Sequence, residues 1–181
     1  MVMVLVLFLA IGVGSFPASL FAATPGRWTI LPGQGIGSLR LGMTVLEAIV
    51  ALGAPTMTWG RPGLNTVLLW FDAQNAKKTH QGGLFAVGAP SAVIRDSALL
   101  HTDVVINVGV VLDSHYATAE GLHTGVAEGE VIAVLGNAPR VARPGMDFLE
   151  GKFDQNAHTL KYAGVEFDVR DSSVIQITVT P

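Results

Sequence analysis

An internal repeat constrains this chain more than any other feature, because it shows a unit that the fold uses twice. The segment from Ser38 to Gly53 (SLRLGMTVLEAIVALG) aligns without gaps on Gly121 to Gly136 (GLHTGVAEGEVIAVLG), 83 residues later. Identities fall at Leu39/Leu122, Gly42/Gly125, Glu47/Glu130, Ile49/Ile132, Leu52/Leu135 and Gly53/Gly136. Thr44 has the chemistry of an N-cap, and Glu47, three residues on, completes a capping box. The pattern predicts a short helix with an apolar stripe of Leu46, Ile49, Val50 and Leu52. Gly53 or Gly136 suits its C-terminal cap, and Pro55 or Pro139 prevents continuation. In the second copy Ala127 replaces the capping Thr and Gly129 falls inside the helix, each costing about 1 kcal/mol. The second helix is expected to be the weaker one.

The stretch after each helix reads as strand. Asn65 to Asp72, Gly83 to Val87, Asp103 to Leu112, Phe148 to Phe153, His158 to Tyr162, Val165 to Arg170 and Val174 to Thr180 are rich in β-branched, aliphatic and aromatic residues. Ala163-Gly164 joins two of them as a tight hairpin. Toward the C-terminus the alternation places Leu160, Tyr162, Val165, Phe167, Val169, Ile175, Ile177 and Val179 on one dry face. In the first half, Val67 to Phe71 and Val104 to Ile106 are apolar at both parities, so both faces of those strands want cover, from the rest of the chain or from a partner. The expected fold is α+β, with two tandem units that each pack a short helix on an antiparallel sheet. The first unit spans residues 24–112, the linker 113–118 and the second unit 119–181.

Gly35-Ile36-Gly37, Leu39, Gly42-Met43-Thr44, Glu47-Ala48 and Leu52-Gly53-Ala54-Pro55, with paired strands after them and then a second copy, resemble the tandem helix-plus-sheet unit of the β-lactamase inhibitor protein family. The pattern is also similar to the single-unit lipoprotein of the outer-membrane β-barrel assembly machine. The resemblance implies a secreted or periplasmic α+β protein that binds another protein through its sheet and loops. The chain departs from both in having no cysteine, which leaves neither the lipid attachment of the one nor the disulfides that the other can carry.

Composition removes several function classes. There are 11 Lys plus Arg against 14 Asp plus Glu, a formal net charge of -3, and Lys77-Lys78 is the one adjacent pair of cations. Nucleic-acid affinity rests on clustered cations, so no nucleic-acid partner is expected. Gly37 to Thr44 has the glycine spacing of a phosphate loop, yet Met43 stands where a Lys must reach the phosphates. Gly33, Gly35 and Gly37 match a dinucleotide fingerprint only loosely, and a turn leading into the capped helix accounts for them. The sequence lacks Gly-x-Ser-x-Gly, His-Glu-x-x-His and calcium-loop spacings. His80, His101, His115, His123 and His158 are dispersed, and neither a metal nor a cofactor is expected. An enzyme with a site between the units would draw on His101, Asp103 or His115. However, a strand over 103–112 holds its ends about 30 Å apart.

Four residues stand out as contacts for a protein partner, because interface anchors are enriched in Trp, Tyr and Arg. They are Trp59 and Arg61, in the turn-rich stretch Met57 to Gly63, Trp70, and Tyr116. For Trp59 the competing role is folding back over its own sheet, for Trp70 it is core packing, and for Tyr116 it is packing in the linker between the units.

Residues 1 to 26 carry no charged side chain, and Val2 to Val13 is apolar apart from Gly12. Helix breakers and then Ala22-Ala23-Thr24 come next, the order of an export signal over residues 1–23. An uncleaved anchor is the other reading, although 12 residues fall short of the roughly 20 that span a bilayer. The expected protein is a non-enzymatic protein-binding module, periplasmic or secreted, with no stable membrane insertion after signal cleavage. The competing classes are a small periplasmic enzyme and a purely structural envelope component.

Overall fold

The computed structural model describes residues 29–59, 65–72, 81–89, 103–142, 145–146, 153–154 and 157–181. The expected export segment, Arg61, His80, His101, Lys77-Lys78 and most of the strand expected over 148–153 lie outside them. Three short strands, β1 (Ile30–Leu31), β2 (Gly35–Ile36) and β3 (Leu39–Arg40), form a small antiparallel sheet ahead of helix α1 (Val45–Leu52). Strands β4 (Met57–Trp59), β5 (Thr66–Leu69), β6 (Gly83–Ala89) and β7 (Val104–Val111) come after it. Helix α2 (Glu128–Leu135) precedes β8 (Arg140–Ala142), the small pair β9 (Gly145–Met146) and β10 (Phe153–Asp154), then β11 (His158–Tyr162), β12 (Val165–Arg170) and β13 (Ser173–Val179). Among the described residues the fold is α+β and mostly antiparallel sheet, with two helices.

The main sheet has eight strands in the order β4-β5-β6-β7-β13-β12-β11-β8. The sequence divides these strands between two sheets. In the structure they form one, because β13 pairs antiparallel with β7 from Gln176 opposite Val111 to Val179 opposite Val108. Ala48 of α1 and Val131 of α2 both belong to a core shared with Ala86, Val108, Leu160, Phe167 and Ile177. Both helices therefore cover the same face of the sheet.

The approach to each helix is anchored on the start of a sheet strand. Gly42 N–H donates to Val105 O at 2.8 Å, Val105 N–H to Met43 O at 2.8 Å and Val45 N–H to Asp103 O at 2.8 Å. Around α2, Gly125 N–H donates to Val174 O at 2.7 Å, Val174 N–H to Val126 O at 2.9 Å and Glu128 N–H to Ser172 O at 2.9 Å. The C-terminal caps match as well, since Gly53 and Gly136 both adopt φ 84°.

Helix α1 starts as its sequence dictates. Thr44 N–H donates to Glu47 Oε2 at 2.7 Å, and Glu47 N–H donates to the Thr44 hydroxyl oxygen at 3.2 Å. The hydrogen bonds from the Thr44 backbone and hydroxyl hold the Glu47 carboxyl below its usual value. The buried stripe is Val45 and Ala48, while Leu46 is 46% and Val50 78% exposed. Of the expected stripe of Leu46, Ile49, Val50 and Leu52, Leu52 packs against the main core and Ile49 is half-buried, while Leu46 and Val50 turn outward, because the two-turn helix sets Val45, whose N–H is tied to Asp103, against the sheet. Helix α2 has the same extended N-cap backbone at Ala127 but no side-chain cap. Substituting Thr for Ala127 is expected to rebuild the box with Glu130 and to stabilise the protein by about 0.5–1 kcal/mol. Thr44→Ala is expected to destabilise it by about 1 kcal/mol. Urea unfolding of the two variants reads both signs.

The β11–β12 hairpin turns at Ala163-Gly164 as the sequence predicts, with Tyr162 opposite Val165 and His158 opposite Val169. One inward residue of β13 differs. A register shift between Asp168 and Val169 pairs Val169 with Val174, which leaves Ile175 as the extra residue of a β-bulge. Val174 is buried and Ile175 half-buried, the reverse of strict alternation.

The short β1–β2 hairpin ties distant segments together. Ile30 N–H donates to Ala117 O and Gly33 N–H to Gly164 O, both at 2.8 Å. Gly164, at φ 76°, lies so close that a Cβ there would overlap the Gly33 nitrogen. The expected linker, 113–118, carries the buried Tyr116 and the bridges of Ala117 to Thr29 and His123.

Candidate binding face

Cross-strand pairing and alternation assign the residues of the sheet face turned away from the helices. On its first half Met57 stands opposite Leu69, Trp59 opposite Val67, Leu69 opposite Phe85 and Val67 opposite Val87. Leu69, Phe71, Phe85 and Val111 form a buried cluster, flanked by half-buried Met57, Trp59, Val67, Val87 and Leu112. Leu68 and Leu69 are both buried although they point to opposite faces. That accounts for the apolar residues at both parities. The ring of Phe85 lies over Gly109 of β7, where a Cβ would overlap its Cε1 and Cζ.

Across the β7–β13 seam the same face turns polar. Lys161 and Glu166 are directly opposite across β11 and β12, with Lys161 Nζ 2.8 Å from Glu166 Oε1. Two residues back along β11, the Thr159 hydroxyl donates to Asp168 Oδ1. Gln176 Nε2 donates to the Thr178 hydroxyl oxygen at 3.0 Å on β13. The face is thus an apolar, aromatic half joined to a half of hydrogen-bonded and ion-paired side chains. Cross-strand pairs of this kind stabilise the sheet and hold their side chains to one another.

Of the four candidate contacts, Arg61 lies outside the described residues, and Trp59, Trp70 and Tyr116 are separated by this arrangement. Trp59 is not in a loop. It ends strand β4, whose Thr58 and Trp59 are good β-formers held in register by β5, and it is half-buried against the second cluster. Trp70 lies on the helix side, packed against the main core, and its Nε1–H donates to Gly53 O at 2.9 Å. Tyr116 is 9% exposed and belongs to the main core. Trp70 thus caps the end of α1, and Tyr162 does the same for α2 by donating its hydroxyl to Gly136 O at 2.8 Å. Burial, and then the nearby Glu128 charge, raise the Tyr162 pKa.

A polar cluster that sequence reasoning did not find lies at the first turn of α2. Glu128 Oε1 accepts from Arg140 Nε at 2.8 Å and from His158 Nε2 at 2.9 Å. No spacing rule joins residues on α2, β8 and β11; the β8–β11 pairing, which sets Ala142 opposite His158, brings them together. Of the residues of the enzyme reading, His101 lies outside the described residues, and Asp103 and His115 do not converge. Asp103 precedes β7 and His115 comes after it, at opposite ends of an eight-residue strand. His115 is tied instead to its neighbour Asp113, Nδ1 to Oδ1 at 2.7 Å, in an exposed turn. Among the described residues no three His, Asp or Glu side chains are placed to hold a metal ion, and no helix is long and apolar enough to cross a membrane.

The fold and its paired helices define an α+β protein built on one eight-stranded antiparallel sheet. No family model matches the chain, and no curated protein matches it. Among solved structures it is similar to a cysteine-rich secretory protein of Staphylococcus aureus, with 11% identity and a TM-score of 0.44, covering 86% of this chain and 46% of that one. It is also similar to the uncharacterized protein YfeY of Escherichia coli, with 13% identity and a TM-score of 0.48, covering 86% of this chain and 99% of that one. The chain spans about half the length of the staphylococcal protein. Identity this low leaves function to be read from the chain's own surface.

Proposed function

We propose that this chain is an exported, non-enzymatic protein-binding module that docks its partner on the sheet face turned away from the helices, at the end marked by Trp59, with Arg61 two residues further along the sequence as a second contact. The observation that carries this reading is the placement of both helices in one core on one side of the sheet. The other side carries the buried cluster of Leu69, Phe71, Phe85 and Val111, rimmed by half-buried Met57, Trp59, Val67 and Val87, beside a hydrogen-bonded polar half that meets it along β7 and β13. Interface anchors are drawn from Trp, Tyr and Arg set in apolar surroundings, and Trp59 sits among Met57, Val67 and Val87. On this reading Trp70 and Tyr116 serve the core, and their hydrogen bonding and burial support that division.

The same reading takes the chain as two copies of one helix-plus-sheet unit. Support comes from the matched anchoring of Gly42 and Gly125, of Val45 and Glu128, and of Trp70 and Tyr162 on the two capping glycines. Two such units joined edge to edge are in keeping with the resemblance to the β-lactamase inhibitor family. The uncharged residues 1–26, with their apolar run, support export to the periplasm or outside the cell.

The test is a crosslinked pull-down from envelope and secreted fractions, with the full chain carrying a C-terminal tag, beside a Trp59→Ala and Arg61→Ala double variant. A single partner held by the parent and reduced at least tenfold with the variant is the expected result. Equal capture by both would move the docking face elsewhere. No partner for either would end the binding reading and turn attention to ligands and hydrolytic activity.

A further inference from the structure

The two helices meet their sheet through different chemistry at matched positions. Val45 begins α1 and is 1% exposed, whereas Glu128, 83 residues on, begins α2 and is itself buried. Val45 needs no charged partner, and its helix also has the Thr44–Glu47 capping box. Glu128 is satisfied by Arg140 and His158, one from each of the two strands at that edge of the sheet, and its helix has no side-chain cap and contains Gly129. A buried carboxylate that loses its partners is costly, while a well-packed valine has nothing to lose.

We propose that α2 is a separately releasable element: the clasp of Glu128 on Arg140 and His158 docks its first turn, and discharging Glu128 frees this helix from the sheet while α1 stays in place. The charged and titratable groups around the clasp are Arg140 on β8, His158 and Tyr162 on β11, and Asp171 in the β12–β13 turn, next to the Ser172 carbonyl that accepts Glu128 N–H. Burial works against the Glu128 charge. The His158 hydrogen bond and charge and the Arg140 guanidinium outweigh it, and hold the carboxyl below its ordinary value. A carboxylate held low stabilises the fold above its unfolded-chain pKa, and that contribution is lost as pH falls through the folded value. Release therefore belongs to acid conditions, below the ordinary carboxylate range. On release, the sheet surface under α2, which shares its core cluster with Leu160 and Val174, becomes accessible.

Hydrogen exchange read by mass spectrometry on the full chain tests this. In Glu128→Gln at neutral pH, amides of 128–135 are expected to exchange at least tenfold faster than in the parent, with 45–52 unchanged. Equal acceleration in both helices, or none in α2, overturns the proposal. If the variant does not fold, the unaltered protein is titrated downward from neutral pH, with rates corrected for intrinsic exchange. The amides of α2 should then lose protection at a higher pH than those of α1, and simultaneous loss overturns the clasp.

Discussion

Gly164→Ala is expected to lower stability by about 2–6 kcal/mol, although it adds a single methyl group to a two-residue turn. Two costs combine. The residue adopts φ 76°, which a non-glycine side chain occupies at about 1–3 kcal/mol. The new Cβ would also overlap the Gly33 nitrogen and lie 2.8 Å from its Cα, backbone atoms that cannot rotate away. Forcing them apart costs a further 1–3 kcal/mol or so and breaks the 2.8 Å hydrogen bond from Gly33 to Gly164. Thermal unfolding should shift down by about 10 °C. Gly42→Ala is the control, because its φ is 83° and its Cβ would meet nothing within 4 Å. That variant should lose only the conformational part, and equal losses in the two would show that the contact with Gly33 contributes nothing.

Phe167→Ala is expected to cost about 3–5 kcal/mol. Phe167 is the largest of the fully buried side chains. Its ring packs edge-on against Tyr162, with centroids 5.9 Å apart and planes at 87°. Truncation leaves a cavity on the helix side of the sheet and frees the Tyr162 ring, which carries the hydrogen bond to Gly136. Phe167→Leu keeps most of the volume and should lose about a third as much. Urea midpoints of the pair separate lost volume from lost ring geometry; a Leu variant with the parent's midpoint would count against the ring contact.

How much of this could be read from the sequence depended on how local the cause was. The start of α1 was legible because Thr44 and Glu47 are three residues apart, and the β11–β12 hairpin because Ala163-Gly164 sits between two alternating runs. Strand β4 was hidden. Gly60, Pro62 and Gly63 crowd so closely behind Trp59 that the stretch reads as a loop, and three residues become a strand only where β5 lies alongside. The bulge at Ile175 was invisible for a similar reason, since its cause is the register with β12. The burial of Leu68 and Leu69 on opposite faces of β5 was anticipated, because Val67 to Phe71 is apolar at both parities. The Glu128 cluster was not, because Glu128, Arg140 and His158 meet only once β8 and β11 have paired.

The strand order carries a consequence for how such a sheet is assembled. β13 comes after every other strand of the main sheet along the chain, yet it occupies a place at the middle, between β7 and β12. Until it arrives, β7 and β12 each present an open edge with unpaired backbone groups, the kind of edge through which chains pair wrongly. The strands β4 to β7 and the group of β8, β11, β12 and β13, whose last two strands are joined by the short 171–172 turn, can form as separate ribbons, and the β7–β13 pairing is what joins them. The sheet is closed at its centre, by the strand that comes last along the chain.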